Sequence, residues 1–242
     1  MRVEVYETYA EMSQRAANLV AGLIAEKPGA VLGLPTGSTP EGFYNELAGR
    51  DLDFTQVQTF NLDEYIGLDR EHPESYYSFM KRHLFSRVNL NPARCHLPNG
   101  MAPDPAAECL RYEEAIRQAG GLDVVLLGIG HNGHIGFNEP GAPWDAHTRM
   151  VDLAERTIKA NARFFGSEEA VPKQALTMGI GTILGARRIV LLASGEGKAE
   201  IIRRTLEGDP AVDVPATALQ SHPDVTVILD RAAAGALCQV VA

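Results

Sequence analysis

A glycine-rich segment that contains one imidazole and one carboxylate is the part of the chain best suited to chemistry. Residues 128–140 read Gly-Ile-Gly-His-Asn-Gly-His-Ile-Gly-Phe-Asn-Glu-Pro and include His134 and Glu139. They follow residues 123–127, an aliphatic run typical of a buried parallel strand. Because open α/β folds bind ligands at the carboxyl ends of their strands, these side chains could perform proton transfer on a sugar or acyl substrate. The alternative is a loop whose glycines serve only geometry and whose polar side chains are solvated.

A second segment, residues 33–40, has the composition of a phosphate-binding turn. It reads Gly-Leu-Pro-Thr-Gly-Ser-Thr-Pro and lies between a predicted strand and a predicted helix. Backbone N–H groups and hydroxyls converge at such a helix start, where the positive helix end also favours an anion. The residues that would bind a phosphate there are Thr36, Gly37, Ser38 and Thr39. The pattern is neither a Walker loop nor GxGxxG, so no nucleotide is implied. The alternative is that Ser38 or Thr39 only caps the helix.

Two adjacent carboxylates, Asp63 and Glu64, follow the strand predicted for residues 57–60. A carboxylate at a strand end can abstract an acidic proton beside a carbonyl or an imine. Two neighbouring acids are more often a solvated turn, unless another part of a site lies close to them.

Two basic residues further along the chain could clamp a phosphate. Arg163 lies at the end of a predicted helix beside two aromatic residues, and Lys198 begins a helix after the strand predicted for residues 188–193. Each residue taken alone is more typical of a surface charge. Both follow βα units, however, so we expect both to reach an anion held at residues 36–39.

Composition restricts the class of protein and its partners. The 242 residues are 45% hydrophobic, which is an ordinary globular mixture and long enough for one large domain. The net charge of −9 comes without any basic run, so nucleic acid is not an expected partner, although a small anion is. No stretch approaches the roughly 20 apolar residues of a membrane span, and the first residues lack a signal peptide's apolar segment. We therefore expect a cytoplasmic protein with no membrane partner.

The cysteines predict neither a disulfide nor a metal site. Cys95, Cys109 and Cys238 are scattered, without CxxC spacing or a partner histidine cluster. Reduced thiols are the expected state.

Strand and helix patterns alternate along the chain with short breaks rich in Gly, Pro and Asp. Predicted strands are residues 3–6, 30–34, 57–60, 123–127, 188–193 and 225–229. Predicted helices are residues 8–27, 40–47, 75–84, 106–117, 155–164, 198–206 and a C-terminal helix from Arg231. Repeated βα units predict an α/β fold in a single domain, with a mostly parallel sheet and helices on both faces.

Several segments together resemble one family. They are residues 32–40, 60–68 (Phe-Asn-Leu-Asp-Glu-Tyr-Ile-Gly-Leu), 72–80 (His-Pro-Glu-Ser-Tyr-Tyr-Ser-Phe-Met), 128–140, 160–165 and 219–223. In this order they resemble the glucosamine-6-phosphate deaminase family, and the resemblance spans almost the whole chain, residues 1–242.

The resemblance implies a Rossmann-like single domain without nucleotide, metal or other cofactor. The implied reaction belongs to amino-sugar catabolism and converts glucosamine 6-phosphate and water into fructose 6-phosphate and ammonia. It is an aldose–ketose isomerisation coupled to deamination, and because it consumes water the enzyme is also expected to be classed as a hydrolase. His134, oriented by Glu139, would open the sugar ring, and Asp63 would move the C2 proton to C1. The implied phosphate ligands are Gly37, Ser38, Thr39, Arg163 and Lys198.

The chain departs from some members of that family. Well-studied members carry Asp where this chain has Asn132, which can accept a hydrogen bond from His134 but supplies no charge. Residues 141–152 lack most polar contacts of the allosteric phosphate site of regulated hexameric members, and the chain ends soon after Val240, without their longer C-terminal segment. It therefore resembles the short, unregulated type, and we expect a monomer or a small homo-oligomer.

Three alternatives stay open. A 6-phosphogluconolactonase has a related fold and hydrolyses a sugar-acid lactone. A non-catalytic sugar-phosphate sensor would keep the phosphate turn but would not need Asp63, His134 and Glu139 together. The same chemistry on galactosamine 6-phosphate differs only at C4, and the sequence does not identify the C4 contact.

Overall fold

The computed structural model describes residues 1–238. Its strands are β1 (Arg2–Tyr6), β2 (Val31–Leu34), β3 (Gln58–Asn61), β4 (Asp63–Tyr65), β5 (Cys95–His96), β6 (Val124–Gly128), β7 (Arg149–Asp152), β8 (Gln174–Thr177), β9 (Ile189–Ala193) and β10 (Val225–Asp230). Its α-helices are α1 (Tyr9–Glu26), α2 (Glu41–Ala48), α3 (Tyr76–Met80), α4 (Pro105–Gln118), α5 (Glu155–Phe165), α6 (Ile180–Leu184) and α7 (Ala199–Glu207). A π-helical turn (Lys81–Phe85) continues α3, and short 3-10 helices span Pro92–Arg94, Glu196–Lys198 and Pro215–Ser221.

The six predicted strands form one parallel sheet together with β5, which the sequence did not predict, and this confirms the α/β fold class. Its seven strands lie in the order β1-β10-β9-β6-β2-β3-β5. The chain moves from β2 to β3 in one direction, whereas β6, β9 and β10 lie on the other side of β2, so the order reverses between β2 and β6. Gly33 permits close packing at this point, because a Cβ there would lie 2.7 Å from the Cγ2 of Val125. Ligands bind at such a reversal in open α/β sheets.

Helices cover both faces of the sheet, as the sequence predicts. Along β6, Leu126 packs with α1, α2 and α3 on one face, whereas Val125 and Leu127 pack with α4, α6 and α7 on the other. This alternation follows from the two-residue period of a strand, and it buries the central strands on both sides.

Two helices begin at caps that the sequence specifies. The Thr8 hydroxyl accepts from the N–H of Glu11, and the Glu11 carboxylate accepts from the N–H of Thr8, which is a capping box. Asp104 accepts from the first N–H groups of α4, and Pro105 occupies the first helical position.

A small antiparallel sheet, which sequence patterns did not predict, carries part of the site. Its strands lie in the order β4-β8-β7, and Asp63 of β4 pairs with Thr177 of β8. The Thr177 hydroxyl accepts from the backbone N–H of Phe137 at 3.1 Å. This sheet therefore holds the segment 128–140 next to Asp63.

The C-terminal helix predicted from Arg231 is wrong over the part that the structure describes. Residues 231–236 form turns, with one hydrogen bond from Ala234 N to Asp230 O and then bonds of shorter span. The Asp230 carboxylate accepts from the N–H of Ala233 at 2.8 Å, a local side-chain bond of the kind that favours turns. Residues 239–242, which the prediction also covered, lie outside the described residues. No helix within residues 1–238 has the length and apolar character that crossing a membrane requires.

Candidate active site

Loops from the carboxyl ends of neighbouring central strands enclose one cavity of about 350 Å³. The loop after β2 supplies residues 35–40, the loop after β6 supplies residues 128–137, and Lys198 follows β9. The predicted site residues that line the cavity are Thr36, Gly37, Ser38, Thr39, Asp63, His134, Arg163 and Lys198. The fold therefore brings together residues that lie far apart in the sequence.

Asn132 and Glu139, the remaining predicted residues, are bonded to the imidazole in this cavity. The Nδ2 of Asn132 donates to Glu139 Oε2 at 2.6 Å, and the Oδ1 of Asn132 lies 2.7 Å from His134 Nδ1. Glu139 Oε1 is 3.4 Å from the same ring nitrogen. Asn132 is thus a bridge between the carboxylate and the ring, so its expected contact with His134 is confirmed.

This bridge determines which nitrogen of His134 holds the proton in the neutral ring. An ionised carboxylate only accepts hydrogen bonds, so the amide nitrogen of Asn132 must face Glu139 and its oxygen must face the ring. The ring Nδ1 must then be the donor, which leaves Nε2 as the free acceptor. His134 is therefore prepared to receive a proton at Nε2.

Glu139 is held in its charged form. Burial alone would raise its pKa, but the hydrogen bond and the charge of His134, together with hydrogen bonds from Asn132 and Thr157, lower the pKa to about 2. The Thr157 hydroxyl donates to Glu139 Oε1 at 2.8 Å. A permanent negative charge near the ring stabilises the imidazolium that forms when His134 takes up a proton.

The space for the His134 ring depends on a glycine. A Cβ at Gly130 would lie 2.2 Å from the ring Cε1, so any larger residue would displace the imidazole. The Gly130 N–H also donates to the backbone oxygen of His134 at 2.9 Å. The glycine-rich character of residues 128–140 therefore serves the placement of the ring.

Asp63 is a buried carboxylate at the other side of the site. Burial raises its pKa to about 8, and the neighbouring charge of Glu64 adds to this effect. A Cβ at Gly136 would lie 3.4 Å from Asp63 Oδ2, so the segment that carries His134 contacts Asp63 closely. The solvated turn that was the alternative for Asp63 and Glu64 is wrong, because both residues are buried.

The turn at residues 35–40 presents unused hydrogen-bonding groups to the cavity. The Tyr9 hydroxyl, rather than Ser38 or Thr39, accepts from the N–H of Gly42 in the first turn of α2, so the capping alternative is wrong. Among residues 1–238, no protein partner satisfies the hydroxyls of Thr36, Ser38 or Thr39. The turn itself requires glycine, since Gly37 has a φ of +102°.

Lys198 is fixed against the loop after β6, on the wall of the cavity that residues 35–40 also line. Its Nζ donates to the backbone oxygen of Ile129 at 2.7 Å, and burial together with the charge of Arg156 lowers its pKa. The loop that carries it is anchored by Asp230, which accepts from the N–H of Gly195 at 3.0 Å. The cation is therefore partly desolvated and close to another cation, which favours the binding of an anion.

Helix α5 closes one side of the cavity and adds residues that sequence reasoning missed. Arg156 and Arg163 both line it, and the guanidinium of Arg163 lies 4.6 Å from the ring centroid of Phe164. The spacing of seven residues, two helical turns, places both arginines on one helix face and could have identified Arg156. His131 was also missed, and the charge of Lys198, burial and the charge of Arg156 lower its pKa.

The arrangement can bind a dianion at one end and move protons at the other. Cationic side chains and free hydroxyls lie around residues 36–39, while a buried carboxylate and a bridged imidazole face the rest of the cavity. No group of three or more His, Cys, Asp or Glu side chains within residues 1–238 is placed to hold a metal ion. Such a site suits proton transfer on a phosphorylated sugar.

Comparisons with known proteins point to the same class. The model of a family described as glucosamine-6-phosphate isomerases/6-phosphogluconolactonase matches residues 5–228. A glucosamine-6-phosphate deaminase of Halothermothrix orenii is 54% identical over 98% of this chain and 100% of its own length. One of Thermoanaerobacter pseudethanolicus is 52% identical over 97% of this chain and 94% of its own length. A solved structure of a monomeric glucosamine-6-phosphate deaminase superposes with a TM-score of 0.95, at 51% identity over 98% of this chain and 100% of that one.

Proposed function

The chain belongs to the glucosamine-6-phosphate isomerase/6-phosphogluconolactonase family, and on this premise we propose that it converts glucosamine 6-phosphate and water into fructose 6-phosphate and ammonia. The observation that carries the proposal is the meeting of Asp63, the Asn132-bridged His134 and the turn at residues 36–39 in one cavity, which Arg163 and Lys198 also line. Relatives more than half identical to the chain are glucosamine-6-phosphate deaminases.

The phosphate group is bound first, at the turn after β2. Hydroxyls and N–H groups of residues 36–39 donate to its oxygens, and Lys198 and Arg163 neutralise its charge. Arg156 adds a third cation on the same helix face as Arg163. Fixing the phosphate at one end of the substrate places C1 and C2 at the other end and converts binding into orientation.

His134 then opens the sugar ring. Its Nε2 takes the proton of the anomeric hydroxyl and returns it to the ring oxygen, so the ring C–O bond breaks and an aldehyde forms at C1. Glu139 stabilises the imidazolium during this transfer, and Asn132 keeps the ring orientation and the tautomer.

Asp63 carries out the isomerisation. Its carboxylate takes the proton from C2, the electrons of that bond form the C1–C2 double bond of an enolamine, and the former aldehyde oxygen at C1 takes up a proton from solvent. The protonated Asp63 then returns its proton to C1, and the nitrogen lone pair forms the C2–N double bond of an iminium. Water adds to C2, and one of its protons moves to the nitrogen. The C2–N bond then breaks, ammonia leaves, and the remaining hydroxyl proton returns to solvent, so fructose 6-phosphate is formed. A pKa raised by burial makes Asp63 a stronger base than a solvated carboxylate and a competent acid for the return step.

Broader properties follow from the same proposal. We infer that residues 1–242 are one domain of this kind, that the protein acts in the cytoplasm on small amino-sugar phosphates, and that it is a monomer. The monomeric deaminase with the superposable structure supports the last point.

A panel of substrates tests the proposed function. Ammonia release is measured on glucosamine 6-phosphate, galactosamine 6-phosphate and unphosphorylated glucosamine, and lactone hydrolysis on 6-phosphogluconolactone. We expect the highest kcat/KM on glucosamine 6-phosphate and very little activity without the phosphate. Preferred hydrolysis of the lactone would favour the lactonase, and a preference for galactosamine 6-phosphate would correct the substrate. Tight binding of these compounds without any turnover would favour a sensor.

A further inference from the structure

A second and larger cavity lies behind the active site. It has a volume of about 570 Å³ and is bounded by β4, the segment at residues 95–100 and α4. Its lining residues with polar side chains are Glu64, Arg70, Tyr77, Cys95, His96, Asn99, Glu108 and Arg111. Asp63 and Glu64 are neighbours in one strand, so their side chains point to opposite faces of it. The two cavities therefore lie back to back across β4, and the mechanism uses only one of them.

The carboxylates in the second cavity are already satisfied by donors of the protein. Glu64 accepts from three backbone N–H groups, those of Tyr65, Tyr76 and Tyr77, at 2.9 to 3.1 Å. Glu108 accepts from the N–H of Asn99 at 2.8 Å and from two nitrogens of Arg111 at 2.6 Å. Neither acid has a strong need for a further cation.

The donors, in contrast, exceed the acceptors. The guanidinium of Arg70 lies 3.6 Å from the ring centroid of Tyr77 and forms no ion pair within residues 1–238. Arg111 uses Nε and Nη2 for Glu108, which leaves Nη1. The ring of His96 stacks on Phe60 with a centroid distance of 4.4 Å, and no partner among the described residues satisfies its nitrogens. The cavity therefore has free donors but, among its described lining residues, no free negatively charged acceptor to pair with them.

We propose that this cavity is a binding site for a small organic anion, a phosphate monoester or a carboxylate. Arg70 and Arg111 hold the anionic group at the mouth, where both are exposed, and His96 donates from the wall. The apolar walls, formed by Leu68, Leu97 and Pro98, accommodate the body of the ligand. A stacked guanidinium is a favourable partner for such an anion, because its fork is held in one orientation. The volume falls within the range of small-molecule sites.

The site shares a wall with the catalytic centre. Glu64 lines the second cavity and holds the first N–H groups of α3, whose residue Tyr76 lines the active site. The site is therefore separate from the phosphate turn at residues 36–39 but adjacent to the base.

Cys95 provides a reporter inside this cavity. It is half-buried there, whereas Cys109 is buried and Cys238 is exposed. Burial raises the pKa of Cys95, and the charge of Arg70 opposes this to a smaller extent. An anion that occupies the cavity keeps a disulfide reagent from this thiol and offsets the charge of Arg70, so it should slow thiol modification.

The experiment uses the full chain with Cys238→Ser, inorganic phosphate as the probe, and mass spectrometry to follow disulfide-reagent labelling at each cysteine. With phosphate at about ten times its dissociation constant, roughly one cavity in ten is empty, and Cys95 labelling should slow about tenfold. Arg70→Gln should abolish the protection. Arg82→Gln, which removes an exposed arginine outside the cavity lining, should retain it.

Lys198→Ala separates the two sites. Protection of Cys95 should persist in this variant, because Lys198 lies in the active site and not in the second cavity. Unchanged labelling in phosphate, protection that survives Arg70→Gln, or protection lost with Lys198→Ala would each overturn the proposal. The result is independent of turnover, so failure of the proposed function would not affect it.

Discussion

The proposed base, Asp63, should impose a pH dependence that an ordinary aspartate would not show. Burial raises its pKa to about 8, with a further contribution from the charge of Glu64. Only the ionised carboxylate can take the proton from C2. Because the raised pKa keeps the free enzyme protonated at lower pH, kcat/KM should fall as the pH falls through about 8, and it should level off above that value.

The size of the effect follows from the same value. One pH unit below the pKa, about one carboxylate in eleven is ionised, and two units below it about one in a hundred. We therefore expect kcat/KM to fall about tenfold per pH unit below pH 8. An aspartate with the ordinary value of 3.8 would give a constant rate over this range.

The assay is kcat/KM for glucosamine 6-phosphate from about pH 6 to about pH 9 in overlapping buffers, with the coupling enzymes in excess. Glu64→Gln distinguishes the enzyme from the substrate, whose own groups also titrate. Removing the negative charge beside Asp63 should shift the midpoint to lower pH, while burial keeps it above the ordinary range. A flat profile, or a midpoint that Glu64→Gln does not move, would refute the reasoning.

Further variants test the individual roles. Asp63→Asn should lower kcat at least about 100-fold with little change in KM, as expected for loss of a general base; normal turnover would remove Asp63 from the mechanism. Asn132→Leu removes the hydrogen-bonded bridge between Glu139 and His134 and should lower kcat by about 10- to 100-fold. Asn132→Asp keeps an acceptor for the ring and should retain more activity than Asn132→Leu. Equal losses of kcat in the two variants would contradict the role of the bridge. Lys198→Ala should lower kcat/KM for glucosamine 6-phosphate by about 10- to 150-fold, chiefly through a higher KM, because a charge-assisted hydrogen bond contributes about 1.5–3 kcal/mol. An equal loss on unphosphorylated glucosamine would refute the assignment of Lys198 to phosphate binding.

Strong local patterns made most of the fold predictable from the sequence. The aliphatic run of β6 and the glycines that follow it indicated a buried strand that leads into a site, and in the structure β6 is buried and ends at the cavity. Caps such as Thr8 and Asp104 marked the starts of helices. Strands β4, β5, β7 and β8 were missed because each is short and lacks the aliphatic run that marks β2, which is no longer than β7 or β8. Strand β4 pairs with β8, which is distant in the sequence, so this pairing has no local signal.

The site shows the same division between local and long-range information. Residues within one segment, such as His134 and Glu139, could be linked by their spacing. The hydrogen bond from Asn132 to Glu139 could not be predicted from the sequence, because it depends on how the loop folds back on itself. The buried state of Asp63, which raises its pKa, results from contacts with distant segments and has no signature in the sequence. The second cavity likewise forms only where β4 meets α4 and residues 95–100.

The identity of the product tests the central claim most directly. Glucosamine 6-phosphate is incubated with the wild-type protein, and ammonia and the sugar phosphates are quantified by coupled enzymes and by NMR. Proton transfer from C2 to C1 through an enolamine predicts fructose 6-phosphate and ammonia in equal amounts, with no glucose 6-phosphate or mannose 6-phosphate as the first product. Release of ammonia with an aldose phosphate as the first product, or no release of ammonia, would contradict the proposed reaction.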